Sequence, residues 1–476
     1  MIYLDEYSKT PLYQQIYEQF KGAIKSGDLG FGEKLPAIRT LASRLCISRN
    51  TVESAYQRLL LEGYVQSRVG SGFAVLDLAG EVPPKGPRPS EKSEYLSSLK
   101  AGAEDLSRYP PVRYDFHFQN MSNGFFPHKL WRKYTWQLLS DFEARDLAPY
   151  QDKQGERGLR LEISKYLYSL RGIECDADQI VICGGRQFAL ETVCDLLPPE
   201  YHHVGLEEPG YDSARLAFAK RRFKITPIHI YPRYDYLKDL ERFAPKILFL
   251  TPSHQFPTGL IMTEAMRRKV LEWAGRTGGY IIEDDCASEY RYNSKPVPAL
   301  QSLGHGERVI YSGSFFKALS PGLRLSFLVL PGHLVPFYHQ APPWLNPASS
   351  WLQQATLALF MRDGHLENHM RKTLRQCKIR HDRLIEALGE HLGGRVEVIG
   401  PNAGLHIMLR VPGAKSQEEL VRQARLQGVR VYPTTPYWLD PGACPPDTVI
   451  LGYAKLSADD INNGVLGLKN AWFQGL

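Results

Sequence analysis

Five short apolar runs, at residues 179–183, 247–251, 280–283, 309–311 and 327–330, alternate with helical segments along the C-terminal three quarters of the chain. Runs this short, bounded by turn residues, fit strands buried on both faces. Strands that alternate with helices join most simply as a mostly parallel sheet, because each parallel return needs a crossover. From about Arg113 onward the chain is long enough for one large α/β domain. No fixed-period repeat is present, which excludes a solenoid.

The first 76 residues follow a different pattern. Leu12, Ile16, Tyr17, Phe20 and Ile24 recur at helical spacing until Gly27. Pro36 opens a second short helix with Ile38, Leu41, Ala42 and Leu45, and a tight turn follows at Cys46–Ile47. Ser48 is placed to cap a third helix, with Val52, Ala55, Tyr56, Leu59 and Leu60 on one face. Two alternating stretches, 64–68 and 73–76, flank Val69-Gly70-Ser71-Gly72 and read as a hairpin with a glycine-rich tip. The organisation expected is therefore a small module at 1–76, a proline-rich linker at 77–112 with a short helix around 93–106, and the α/β domain at 113–476.

Composition narrows the classes. No run of about 18 apolar residues exists, which argues against a membrane-spanning helix. Asp5 and Glu6 stand where a signal peptide needs an apolar stretch. The 7 cysteines form no CxxC pair, so a disulfide framework or structural zinc site is not expected and a reducing cytoplasm fits. The net charge of +7 is compatible with nucleic acid but does not demonstrate it.

Helix, turn, helix and hairpin in this order is the layout of a winged helix-turn-helix, whose third helix offers its N-terminal residues to the major groove. Here these are Ser48, Arg49, Asn50 and Thr51: arginine reads guanine, asparagine reads adenine, and hydroxyls hold phosphates. All five arginines of the module lie between Arg39 and Arg68. The stretches LPAIRTLA, SRNTV followed by AY, EGY and GSGF resemble a GntR-type domain along nearly the whole module. That resemblance implies DNA contacts by Arg39, Ser48, Arg49, Thr51 and Gly72.

A second constellation spans about 175 residues of the large domain. Ser312-Gly313-Ser314-Phe315-Phe316-Lys317 follows a strand, with Arg324 seven residues on. A lysine that bonds a carbonyl cofactor needs neighbours that favour its neutral form, and hydroxyls with an arginine suit a phosphate. Asp284 and Asp285 end another strand, where a carboxylate pairs with a pyridinium nitrogen or simply caps a turn. Cys183-Gly184-Gly185-Arg186-Gln187 opens a helix whose backbone N–H groups suit phosphate. Tyr211, in EPGY, is placed to stack on a flat ring or to fill a core.

These pieces, in this order, resemble fold type I of the pyridoxal phosphate (PLP) proteins, the aminotransferase fold. The whole architecture resembles the MocR/GabR family of bacterial regulators, to whose forms TPSHQFPTG (251–259) and IIEDD…SEYRY (281–292) are close. The resemblance implies that Lys317 bonds the cofactor, Asp284 pairs with its ring nitrogen and Tyr211 stacks on the ring. It implies that Gly185, Arg186, Gln187, Ser312, Ser314 and Arg324 hold the phosphate. It implies that Tyr150 reaches the phosphate of a partner subunit, hence a homodimer, and that two modules read a double-stranded operator with two half-sites.

Three positions depart from the family pattern. Cys286 replaces a tyrosine that bonds the cofactor's phenolic oxygen. Phe256 replaces the asparagine of the enzymes, as in the regulators. The segment Asp447–Tyr453 lacks the arginine with which enzymes and the GABA-responsive regulator clamp a carboxylate, and Ser213 stands where that regulator has its second arginine. The expectation is a transcription regulator that senses an amine or PLP itself. An active aminotransferase with an accessory DNA-binding domain is the alternative, and a large domain serving only as a dimerisation scaffold is a third.

Overall fold

The computed structural model describes residues 2–5, 10–68, 72–76, 110–140, 152–231, 235–285, 287–292, 297–304, 306–340 and 349–473. The expected linker helix at 93–106, Gly70, Tyr150 and Cys286 lie outside them, as does nearly all of the expected linker. The chain divides into two compact units between residues 105 and 106.

In the first unit, α1 (Leu12–Ser26), α2 (Ile38–Leu45) and α3 (Arg49–Leu61) precede an antiparallel hairpin of β1 (Val65–Arg68) and β2 (Gly72–Val75). α1 stops at Gly27, whose left-handed φ of 82° lets its N–H bond the Ile24 carbonyl. α2 ends at Cys46, also left-handed. Ile16, Tyr17, Phe20, Leu41, Val52, Ala55, Tyr56 and Leu59 form one core. Tyr56 lies edge-on to Phe20 and Phe73, and its hydroxyl donates to the Pro36 carbonyl at 2.9 Å. One side chain thereby fixes α3 to the entry of α2 and to the hairpin.

The second unit is built on a seven-stranded sheet. In chain order its strands are β3 (Ile180–Cys183), β4 (His203–Glu208), β5 (Lys224–His229), β6 (Ile247–Leu250), β7 (Tyr280–Asp285), β8 (Val309–Ser314) and β9 (Ser326–Val329). The spatial order is β3-β9-β8-β7-β6-β4-β5, with only β9 antiparallel to its neighbours. All five apolar runs read from sequence are strands of this sheet. Strand alternation explains their unbroken hydrophobicity. Ile180 and Ile182 pack in one core with Leu159 and Phe360, while Val181 and Cys183 pack in another with Val193 and Phe218.

A smaller C-terminal part carries a four-stranded antiparallel sheet of β10 (Glu397–Ile399), β11 (His406–Arg410), β12 (Tyr432–Pro433) and β13 (Thr448–Gly452), in the order β10-β11-β13-β12. The 27-residue helix His365–His391 and the helix Ala458–Phe473 cover it. Tyr114–Asp115 pairs in parallel with Val429–Arg430, so the start of the domain joins the C-terminal part before the chain enters the large sheet. The result is a mixed, mostly parallel α/β fold with a smaller C-terminal subdomain. No helix among the described residues is long and apolar enough to cross a membrane.

Candidate functional site

Parallel strands deliver their C-terminal ends to one edge of the sheet, and ligand clefts form there. In this chain that edge holds a cleft of about 300 Å³ lined by Gly185, Gln187, Tyr211, Ser314, Lys317 and Arg324, with Phe118, Phe256, His254 and His406 on its other wall. β8 ends at Ser314 and sends the chain through Phe315 and Phe316 to Lys317, whose Nζ donates to the Phe118 carbonyl at 2.9 Å. The Lys317 carbonyl accepts from the Tyr290 hydroxyl at 2.7 Å, and His369 bonds the next carbonyl, Ala318. These contacts hold the lysine backbone from below.

Asp284 and Asp285 point to opposite faces of β7, as neighbours on a strand must. Asp285 turns away from the cleft to Arg171 at 2.8 Å and the Tyr311 hydroxyl at 2.8 Å. Asp284 turns toward it and bonds Arg186, whose guanidinium lies 4.0 Å from the centre of the Tyr211 ring. Asp284 is buried, and its Oδ1 has no hydrogen-bond partner among the described residues. Burial raises the Asp284 pKa, and the Arg186 charge and hydrogen bond oppose that rise.

Of the phosphate candidates, Gly185, Arg186, Gln187, Ser314 and Arg324 line the cleft. Gly185 caps the helix α4 (Arg186–Leu196) with φ 101°, and a Cβ there would meet the Arg324 guanidinium at 3.0 Å. The close approach leaves Arg324 and the first N–H groups of α4 facing a common space. Gln187 turns its side chain to Glu191, leaving its backbone for the cleft. Ser312 is buried, two residues before Ser314 and opposite Asp284 in the β7–β8 pairing, and does not line the cleft. The Arg186 side chain bonds Asp284.

Sequence reasoning passed over Phe118, Gln119, His254 and His406. Phe118 reaches the cleft from a segment 199 positions before Lys317. Burial lowers the His254 pKa to about 4 and lowers that of His406 as well, so both rings are neutral in an ordinary pH range. The HQFP and GLH stretches that carry them offer no spacing signal for this. Ser213 lines the cleft, and Asp447 is held by Arg410 at 2.9 Å. Among the described lining residues the cations are Arg186, Lys317 and Arg324.

In the first unit the DNA candidates Arg39, Ser48, Arg49 and Gly72 are exposed, and Thr51 is half-buried. Arg39 opens α2, and Ser48, Arg49 and Asn50 stand exposed at the start of α3. Ser48 Oγ caps α3 by accepting from the Thr51 N–H at 3.1 Å, and the two hydroxyls bond at 2.8 Å. Gly72 is exposed at φ 84°, with open space where a Cβ would stand. Lys21 and Arg58, by contrast, are tied to Glu62. Arg39 and Arg49, like Lys25, Lys34 and Arg44, have no ion pair among the described residues.

Residues 12–75 match the family model of bacterial regulatory proteins, gntR family, and residues 125–465 match aminotransferase class I and II. The HTH-type transcriptional regulator YhdI of Bacillus subtilis is 36% identical over 470 residues, covering 99% of this chain and 97% of that protein. The probable rhizopine catabolism regulatory protein MocR of Rhizobium meliloti is 32% identical, covering 99% and 96%. Among solved structures, a Pyrococcus horikoshii kynurenine aminotransferase superposes with TM-score 0.70 at 23% identity, covering 84% of this chain and 99% of that one.

Proposed function

From the chain's membership of the MocR/GabR family, which joins a gntR-type module to an aminotransferase class I and II domain, we propose a transcription regulator whose large domain holds PLP and senses an amine-containing small molecule or PLP itself. The observation that carries the reading is convergence. Lys317, Asp284, Tyr211, Gly185 and Arg324 come from separate stretches of sequence and meet around one cleft.

The residues fit the cofactor. Asp284 Oδ1 is a buried acceptor without a hydrogen-bond partner among the described residues, suited to hold a proton on a ring nitrogen. Tyr211 would cover one face of the ring. Gly185, the N–H groups of α4, Ser314 and Arg324 would hold the phosphate, with Gln187 contributing its backbone. Ser312, opposite Asp284 in the β7–β8 pairing and on the same face of the sheet, would lie beneath the cofactor rather than hold its phosphate. Lys317 Nζ, already bonded to a carbonyl at the cleft, would be the covalent anchor. When bound, PLP supplies an electrophilic carbonyl that captures primary amines. His254, His406, Phe118 and Phe256 would shape the space for the amine. The neutral imidazoles and the absence of a further arginine in the described lining favour an effector that is not clamped by its carboxylate.

At the DNA end, Arg49 and Thr51 would enter the major groove, Arg39 and Ser48 would take phosphates, and Gly72 would let the wing approach the backbone. Two such modules in a homodimer would read a double-stranded operator with two half-sites. The cofactor pocket is tested by the absorbance spectrum of the purified chain with PLP, before and after borohydride, beside Lys317→Ala. A visible band that borohydride locks covalently, absent from the variant, is expected. No band at saturating PLP overturns the cofactor reading and leaves the large domain as a scaffold.

A further inference from the structure

Arg186 occupies the place where this reading needs a pyridine ring. Its guanidinium is flat, cationic and donates to Asp284, as a protonated pyridine is and does. It lies over Tyr211 at 4.0 Å, the separation at which a planar ring stacks. A phosphorylated pyridine stacked on this face of Tyr211 would take the place of the guanidinium, which bonds Asp284 through Oδ2 and leaves Oδ1 open to the ring nitrogen. The Arg186 side chain is 19% exposed, against 3% for Asp284, so of the two partners the arginine has the shorter way to solvent.

We infer that Arg186 is a built-in occupant of the cofactor slot, which the phosphorylated pyridine must displace from between Tyr211 and Asp284. The inference rests on the cofactor reading above and adds a regulatory step to it. A buried carboxylate with no counter-charge destabilises a fold. Arg186 supplies that charge in the ligand-free chain, and the ring nitrogen supplies it in the loaded chain. The domain is thereby folded in both states, and the exchange frees a cation at the mouth of the cleft. Self-occupancy also sets the sensitivity of the site. A slot filled by its own side chain in nine-tenths of molecules binds about tenfold more weakly than an open one.

The test uses the full chain and 4-deoxypyridoxine 5′-phosphate, which lacks the aldehyde and so reports the slot without any bond to Lys317. Affinity and association rate are measured by calorimetry and stopped-flow fluorescence for the wild type, Arg186→Ala and Arg186→Lys. Melting temperatures are taken without ligand. Arg186→Ala is expected to bind about tenfold more tightly, to associate faster and to melt lower when empty. Arg186→Lys keeps the charge but loses the planar stack, and is expected to fall between; it carries the test if the alanine variant does not fold. In an Asp284→Asn background the gain from removing Arg186 shrinks. Unchanged or weaker binding by both Arg186 variants, with the wild type binding normally, overturns the inference and makes Arg186 a bystander or a phosphate ligand, while the cofactor reading stands. Absence of binding in the wild type and both variants overturns the cofactor reading, and the inference with it.

Discussion

Adjacent acids show how much of this protein is decided one residue at a time. Asp284 and Asp285 are identical in type, yet strand geometry sends one to the cleft and the other to Arg171 and Tyr311. Glu207 is a third buried acid with a separate task. It accepts from the Tyr236 hydroxyl at 2.7 Å, from the Thr251 N–H and hydroxyl at 3.0 and 2.6 Å, and from Gln255, and so pins the segment that carries His254 and Phe256. Burial raises its pKa from 4.5 to about 7. Between those values the folded chain keeps a proton that the unfolded chain releases, so this group's contribution to stability falls as pH rises through the window, by up to about 3 kcal/mol. Glu207→Gln should remove that slope, since the Tyr236 hydroxyl can reverse to accept from an amide. Denaturant midpoints of the two proteins from pH 4.5 to 7.5 check it; parallel curves would exclude Glu207 as the source.

At the scale of the element, the start of α3 combines a structural and a recognition task in adjacent residues. Ser48→Ala removes the cap and should lower the stability of the first unit by about 1 kcal/mol. Arg49→Ala removes an exposed cation that has no ion pair among the described residues. It should leave the stability within about 0.5 kcal/mol and weaken operator binding, with the salt dependence falling by about one if Arg49 meets a phosphate. Measuring both variants by urea unfolding and by operator titration at several salt concentrations separates the two roles. A large stability loss in Arg49→Ala would assign it to the fold instead. These helices and the hairpin were legible because periodicity, Gly27 and Ser48 are local signals. The same holds for the five apolar runs of the sheet. The antiparallel sense of β9 was not legible, because a four-residue buried strand carries no mark of its direction.

For the whole molecule, the prediction concerns valency. If the chain is a homodimer that reads two half-sites, an operator with both sites intact should bind on the order of a hundredfold more tightly than one with a half-site scrambled. Sedimentation of the free protein and titration of the two duplexes check this; equal affinities would show that one module acts alone. An amine that changes the PLP absorbance band should also change the footprint, because the two ligands are then linked through one chain. A panel of amines that alters the band and leaves the footprint unchanged would separate capture from regulation. Retention of Lys317 makes turnover with a keto acid measurable in the same material; repeated turnover would indicate an enzyme, and a single half-reaction a sensor.

The sequence alone determined the two-part architecture, the winged helix-turn-helix elements, the α/β class and the candidates for the cofactor pocket. It did so because helical periodicity, caps and buried strand runs are written within a few residues of themselves, and because the family motifs are contiguous. Only the tertiary structure decided which of two neighbouring acids faces the cleft, that Ser312 pairs with Asp284 and is not part of the lining, that Phe118 reaches Lys317 from 199 positions away, and that Arg186 lies on Tyr211. Those facts depend on strand register and on contacts between distant segments. No local pattern encodes them, since each partner has its own residue type and neighbours but not the other's position.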